Sequence, residues 1–206
     1  MQMSLRIALL FLITAVEALA TTIYVTPAGQ TAGLNSPVSV DVNVSGLGSA
    51  IAPSVGTYDL DVAFDSTLLS FSSVIWGTGL DVLGLGDIQS AMPGVGTIEL
   101  FELSLDSPSD LNSLQLPAFG LFTLNFSTLA VGTSSLTLNV VALGDADGVS
   151  LPADVSNGSV TVSSGSPSQV PEPNTALPLL LILGFRVLSL RRREVSTSFR
   201  SRTPKL

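Results

Sequence analysis

From position 38 the chain alternates in strict period two. Val38, Val40, Val42 and Val44 are interleaved with Ser39, Asp41, Asn43 and Ser45. A strand written this way puts its β-branched side chains on one face and a polar set on the other, which predicts a half-buried β-strand. Tyr58, Leu60, Val62 and Phe64 repeat the pattern against Asp59, Asp61, Ala63 and Asp65, so the second strand turns three carboxylates toward solvent. Further strands are predicted over 23–27, 69–76, 97–105, 121–128, 134–141 and 158–162, separated by clusters of Gly, Pro, Ser, Asn and Asp that supply turn geometry. Near Leu100-Phe101 the alternation slips, which calls for a bulge or for a strand covered on both faces. No stretch between 21 and 164 sustains a helical period, and 80–96 and 107–117 read as long connections. The expectation is one all-β domain over 21–164, an antiparallel β-sandwich of eight or nine strands.

The two ends follow a different logic. Arg6 precedes an apolar run over 7–16, and Ala18 and Ala20 place small residues where a signal peptidase reads them, so 1–20 is expected to be a signal peptide cleaved after Ala20. The alternative is a retained N-terminal anchor. At the other end a Ser/Gly/Pro linker over 165–169 leads to Val170, Pro171, Glu172 and Pro173. The two prolines hold the chain extended and leave the peptide around Glu172 open to a processing enzyme. Residues 174–190 then form an apolar run of 17 residues, about 25 Å as a helix, at the short end of what crosses a hydrocarbon core of about 30 Å. Arg191, Arg192 and Arg193 stop transfer and keep their end cytoplasmic, and a polar tail over 194–206 follows.

Box, short transmembrane helix and Arg cluster, in that order over 170–193, resemble the PEP-CTERM sorting signal of Gram-negative bacteria. The resemblance implies cleavage by an exosortase and delivery to the cell surface or an exopolysaccharide matrix. Arg186 within the apolar run and the tail after the arginines depart from that pattern. An Arg near a helix end can snorkel to the interface, which keeps spanning feasible. In the middle of the chain, "SPVSVDVNVSGLG", "GTYDLDVAFDSTLLSFSSVIWG", "LFTLNFSTLAVGTSSLTLNVVALGDADG" and "NGSVTV" are similar to cohesin domains. That resemblance implies a nine-strand jelly roll related to bacterial carbohydrate-binding modules. Its partner could be a dockerin, another protein or a polysaccharide, because a fold does not fix a function.

Composition narrows the chemistry. The chain contains no Cys and no His, which removes thiol catalysis, thiolate metal sites and the usual general base near neutral pH. Between 21 and 170 there are thirteen acids and no Lys or Arg, so nucleic acid is not a partner. Glu99 and Glu102, at odd spacing on one strand, point to opposite faces and cannot form the carboxylate pair of a glycosidase. Asp145-Ala146-Asp147-Gly148 reads as an Asp-rich turn, with a minimal calcium loop as the alternative. Trp76, Tyr24 and Tyr58 are too few for a broad sugar-stacking platform. The functional expectation is a non-catalytic exported surface or matrix protein, without catalytic residues, cofactor or metal. It would bind an unknown protein or polysaccharide and be tethered to the membrane through 174–190. The alternative is a secreted carbohydrate-binding module.

Overall fold

The computed structural model describes residues 20–165. Ala18, Val170, Pro171, Glu172, Pro173, Arg191, Arg192 and Arg193 lie outside the described residues, as do the apolar run 174–190 and the tail. Ala20 is exposed immediately ahead of the first strand.

Eleven strands and one helix are found among the described residues, in the order β1 (Thr21–Thr26), β2 (Gly29–Gly33), β3 (Pro37–Ser45), β4 (Val55–Ala63), β5 (Leu69–Trp76), β6 (Asp87–Pro93), β7 (Thr97–Ser104), α1 (Pro108–Leu114), β8 (Ala118–Thr128), β9 (Gly132–Asp145), β10 (Ala153–Ser156) and β11 (Gly158–Ser163). They form a five-stranded sheet, β10-β1-β3-β8-β5, and a six-stranded sheet, β2-β11-β9-β4-β7-β6. The valines of β3 and the Tyr58-Leu60-Val62 face of β4 are buried between the sheets, so the period-two faces become the two walls of one core.

The strand count corrects the expected eight or nine. The interval 80–96 contains β6, and 107–117 contains α1. Pairing is also not wholly antiparallel, because β1 runs parallel to β10 and β11 parallel to β2. No bulge interrupts β7 near Leu100 and Phe101; its register with β4 and with β6 is continuous. The irregularities fall instead between β3 and β8 at Val42/Asn43, between β5 and β8 at Phe71/Ser73, and between β4 and β9 at Val55/Thr57 and Asp59/Leu60.

Buried polar side chains tie the connections down. The Gln115 side chain after α1 accepts from Val55 N at 2.6 Å and donates to the carbonyls of Val55 and Gly79, each at 2.9 Å. Thr128 Oγ1 donates to the Gly33 carbonyl at 2.7 Å and accepts from Ser36 N at 2.9 Å, fastening the β2–β3 turn to the end of β8. Each satisfies backbone groups that would otherwise be buried without partners. Gly46 has φ +79°, and a Cβ there would meet the Ala20 carbonyl at 2.3 Å, so the close approach of the residue that leads into β1 requires glycine.

Candidate functional site

The outer face of the six-stranded sheet carries an unusual mixture. Burial along β7 alternates with Ile98, Leu100 and Glu102 inward, which turns Glu99, Phe101 and Leu103 outward. Register places them in cross-strand rows: Ile88, Leu103 and Thr57; Ser90, Phe101 and Asp59; Met92, Glu99, Asp61 and Asn139. Val141, looped out where β9 slips against β4, is 56% exposed, while Ile88 and Met92 on the edge strand β6 are 49% and 54% exposed. Apolar side chains thus flank a central set of three carboxylates on a pleated surface. Asn139 Nδ2 donates to Asp61 Oδ2 at 3.2 Å, and Oδ1 of Asp59 is buried with no hydrogen-bond partner among the described residues.

Behind this face lies a carboxyl that the period-two reading put on the opposite side of β7 from Glu99 without saying which of the two faces inward. The slip seen near Leu100-Phe101 is not backbone irregularity; it arises because outward positions of β7 carry Phe101 and Leu103 while the inward position between them is occupied by an acid. Glu102 is 1% exposed and sits opposite Tyr58 of β4 and Gln89 of β6. Tyr58 Oη donates to Glu102 Oε2 at 2.5 Å, and Gln89 Nε2 donates to Oε1 at 3.4 Å and to Asp87 Oδ2 at 2.9 Å. Burial, reinforced by the neighbouring Asp87, pushes the Glu102 carboxyl up to about 8, against the opposing hydrogen bonds from Tyr58 and Gln89. Burial, with Glu102 beside it, also drives the Tyr58 hydroxyl well above its ordinary range.

The other sequence candidates divide clearly. Glu99 and Glu102 occupy opposite faces of β7, as their odd spacing implied, so the two glutamates do not face a common space. Asp145 Oδ1 accepts from Asp147 N at 3.0 Å and Val149 N at 2.8 Å, so this carboxylate closes its own turn. Among the described residues no three acids converge on a metal-sized site. Asp65, at the end of the acidic β4 face, accepts from Thr67 N and Thr67 Oγ1, and those bonds hold its carboxyl below the usual range. Tyr58 is a core residue, its ring 6.0 Å from that of Phe122, and it leaves the candidate aromatic platform. Trp76 packs edge-on against Phe122 at 6.3 Å and also reaches the surface of the five-stranded sheet.

The outward apolar residues of β6 and β7 were not recognised in the sequence as a surface. The available signal was Phe101 and Leu103 at solvent-side positions of a strand whose other side already carries Ile98 and Leu100.

Two sheets joined in this order make a jelly-roll sandwich of the cohesin type. It superposes on the seventh ScaB type I cohesin of Pseudobacteroides cellulosolvens with a TM-score of 0.57 at 20% identity, covering 74% of this chain and 98% of that one. A non-cellulosomal cohesin of Archaeoglobus fulgidus gives a TM-score of 0.53 at 22% identity over 70% of this chain and 92% of its own. A type I cohesin–dockerin complex from Clostridium thermocellum contributes a chain with a TM-score of 0.57 at 14% identity, with 70% and 99% covered. At these identities the likeness is one of fold. No protein-family model and no curated protein sequence matches the chain.

Proposed function

We propose that the chain is an exported, non-catalytic binding protein that docks a protein partner on the outer face of its six-stranded sheet. The observation carrying this reading is the layer of Ile88, Met92, Phe101, Leu103 and Val141 around Asp59, Asp61 and Glu99. Apolar side chains clustered on a regular, rigid face are the raw material of an interface core. Carboxylates among them, on a domain with no cation of its own, favour a partner presenting apolar groups beside Lys or Arg. Dockerin is the named partner in a complex of the same fold and is the natural first candidate. The paired absence of His and Cys and the separation of Glu99 from Glu102 support a binding role over catalysis.

The test is capture from the producing organism's secreted proteins by the full chain, followed by affinity measurement with the captured partner. Met92→Asp combined with Leu103→Asp is expected to weaken binding by about 100-fold or more, as removal of apolar interface anchors does, with the circular dichroism spectrum unchanged. Full affinity in the double variant would remove this face as the docking surface.

The address segments complete the proposal. Signal peptidase releases 1–20 after Ala20, the helix 174–190 with Arg191, Arg192 and Arg193 holds the precursor in the inner membrane, and an exosortase cuts at the box formed by Val170, Pro171, Glu172 and Pro173. The product then reaches the cell surface or matrix of a Gram-negative bacterium. Mass spectrometry of protein recovered outside the cell is expected to show a C-terminus near the box. Extracellular material that retained 191–206 would rule this processing out.

A further inference from the structure

The outer face of the five-stranded sheet has the opposite character. Its outward positions are Ser39, Asp41 and Asn43 on β3 and Thr123, Asn125 and Ser127 on β8. These side chains hold one another across strands. Ser39 Oγ donates to Asn125 Oδ1 at 2.6 Å, Asn125 Nδ2 donates to Ser73 Oγ at 3.2 Å, Thr123 Oγ1 donates to Asp41 Oδ1 at 2.6 Å, and Asn43 Nδ2 donates to Thr26 Oγ1 at 3.2 Å. A polar layer of this kind is pre-ordered, so a ligand meeting it loses little side-chain entropy.

The layer opens into a pocket where β3 and β8 slip in register. About 260 Å³ of space is lined by Asp41, Asn43, Thr123, Ile75 and Trp76, with Gly77 and Gly120 completing the wall. The glycines bring two backbones together: a Cβ on Gly77 would meet the Gly120 carbonyl at 2.0 Å. The volume falls just below the roughly 300–1,000 Å³ that drug-sized ligands occupy, which suits one ring of a longer molecule.

The chemistry of the wall selects the ring. Asp41 Oδ1 and Asn43 Nδ2 are engaged by Thr123 and Thr26, while Asp41 Oδ2 and Asn43 Oδ1 accept no hydrogen bond among the described residues. The pocket therefore offers acceptors to a ligand with adjacent donors. Ile75, 61% exposed, and Trp76 provide an apolar strip beside them. No cation lies between 21 and 170 to receive an anion. We propose that this pocket is a glycan subsite that takes one pyranose ring of a neutral polysaccharide, its vicinal hydroxyls donating to Asp41 and Asn43 and its C–H face against Ile75 and Trp76. The site is on the sheet opposite the protein-docking face, so the two readings stand or fall separately.

Trp76 is the chain's one tryptophan, so its fluorescence reports on this pocket alone. The full chain, held in a non-glycosidic detergent, is titrated with cellotetraose, laminaritetraose and mannotetraose, and with tetragalacturonate as the anionic control. Calorimetry is run alongside. At least one neutral tetrasaccharide is expected to give a saturable emission change with matching heat. Asp41→Ala should weaken it by about tenfold or more, the consequence of losing a hydrogen bond to a charged acceptor. Gly120→Ala should do the same by obstruction, since its methyl would sit 3.5 Å from Asn43 Oδ1, an ordinary contact that leaves the fold intact. Met92→Asp with Leu103→Asp should leave glycan binding unchanged. No saturable response to any neutral sugar, an equal response to tetragalacturonate, or wild-type affinity in both pocket variants would overturn the proposal.

Discussion

Glu102→Gln is expected to flatten the pH dependence of folding stability between about pH 5 and pH 8, and to leave the variant more stable than the wild type by a few kcal/mol at higher pH. The sign follows from where the proton sits. In the folded protein the Glu102 carboxyl holds its proton up to about 8, whereas in the unfolded chain it releases it near the ordinary 4.5. Its contribution to stability is therefore complete below 4.5 and is lost as pH rises through 8. Gln copies the protonated carboxyl, with an oxygen to accept from the Tyr58 hydroxyl and an amide to donate toward Asp87. The window is unusually clean because the chain has no His and no Cys to titrate within it. Urea midpoints of both proteins at pH 5, 7 and 9 are the measurement. Parallel curves would mean that Glu102 ionises normally and is not enclosed as described.

Phe126→Ala is expected to cost about 3–5 kcal/mol, read as a fall of roughly 10 °C in Tm by circular dichroism. Phe126 is fully buried on β8 of the five-stranded sheet. Its ring lies 5.1 Å from that of Phe64, which follows β4 of the other sheet, and 6.1 Å from that of Phe71 on β5. Deleting it opens a cavity between two rigid layers that cannot collapse together without disturbing both. Phe101→Ala, on the outer face, is the control and should stay within about 1 kcal/mol. Equal effects from the two would mean that the sheets do not pack through Phe126.

How much of this was legible follows from which residues define each element. β3 and β4 were readable because each carries a full apolar–polar alternation with one face solvated. β2, Gly29–Gly33, has no such face; it exists because β11 supplies a parallel partner, and pairing across more than a hundred residues leaves no local trace. β10, Ala153–Ser156, is a short edge strand held in the same way by β1. β6 was hidden for a different reason. Its Ile88 and Met92 point to solvent, so it lacks the buried stripe by which strands are recognised.

The helix α1 did leave a signal. Ser107 caps it, accepting from Asp110 N, with Pro108 in the first turn, but the seven-residue helix buries only Leu111 and so shows no period. The candidate docking face was half legible. Asp59 and Asp61 stood on the solvent side of β4 from the pattern alone, whereas the apolar half depended on β6 being a strand at all. Glu102 carried the opposite lesson: the slip at Leu100-Phe101 called for a bulge or a strand covered on both faces, whereas it reflects apolar Phe101 and Leu103 outward and a buried carboxyl, Glu102, inward.

Hydrogen exchange of the full chain, free and saturated with its captured protein partner, tests the central claim most directly. Binding through the mixed face predicts slowed exchange confined to Val55–Ala63 of β4, Asp87–Pro93 of β6, Thr97–Ser104 of β7 and the part of β9 around Asn139 and Val141 that pairs with β4. Protection centred instead on Pro37–Ser45 of β3 and Ala118–Thr128 of β8, with β4, β6 and β7 unchanged, would contradict it.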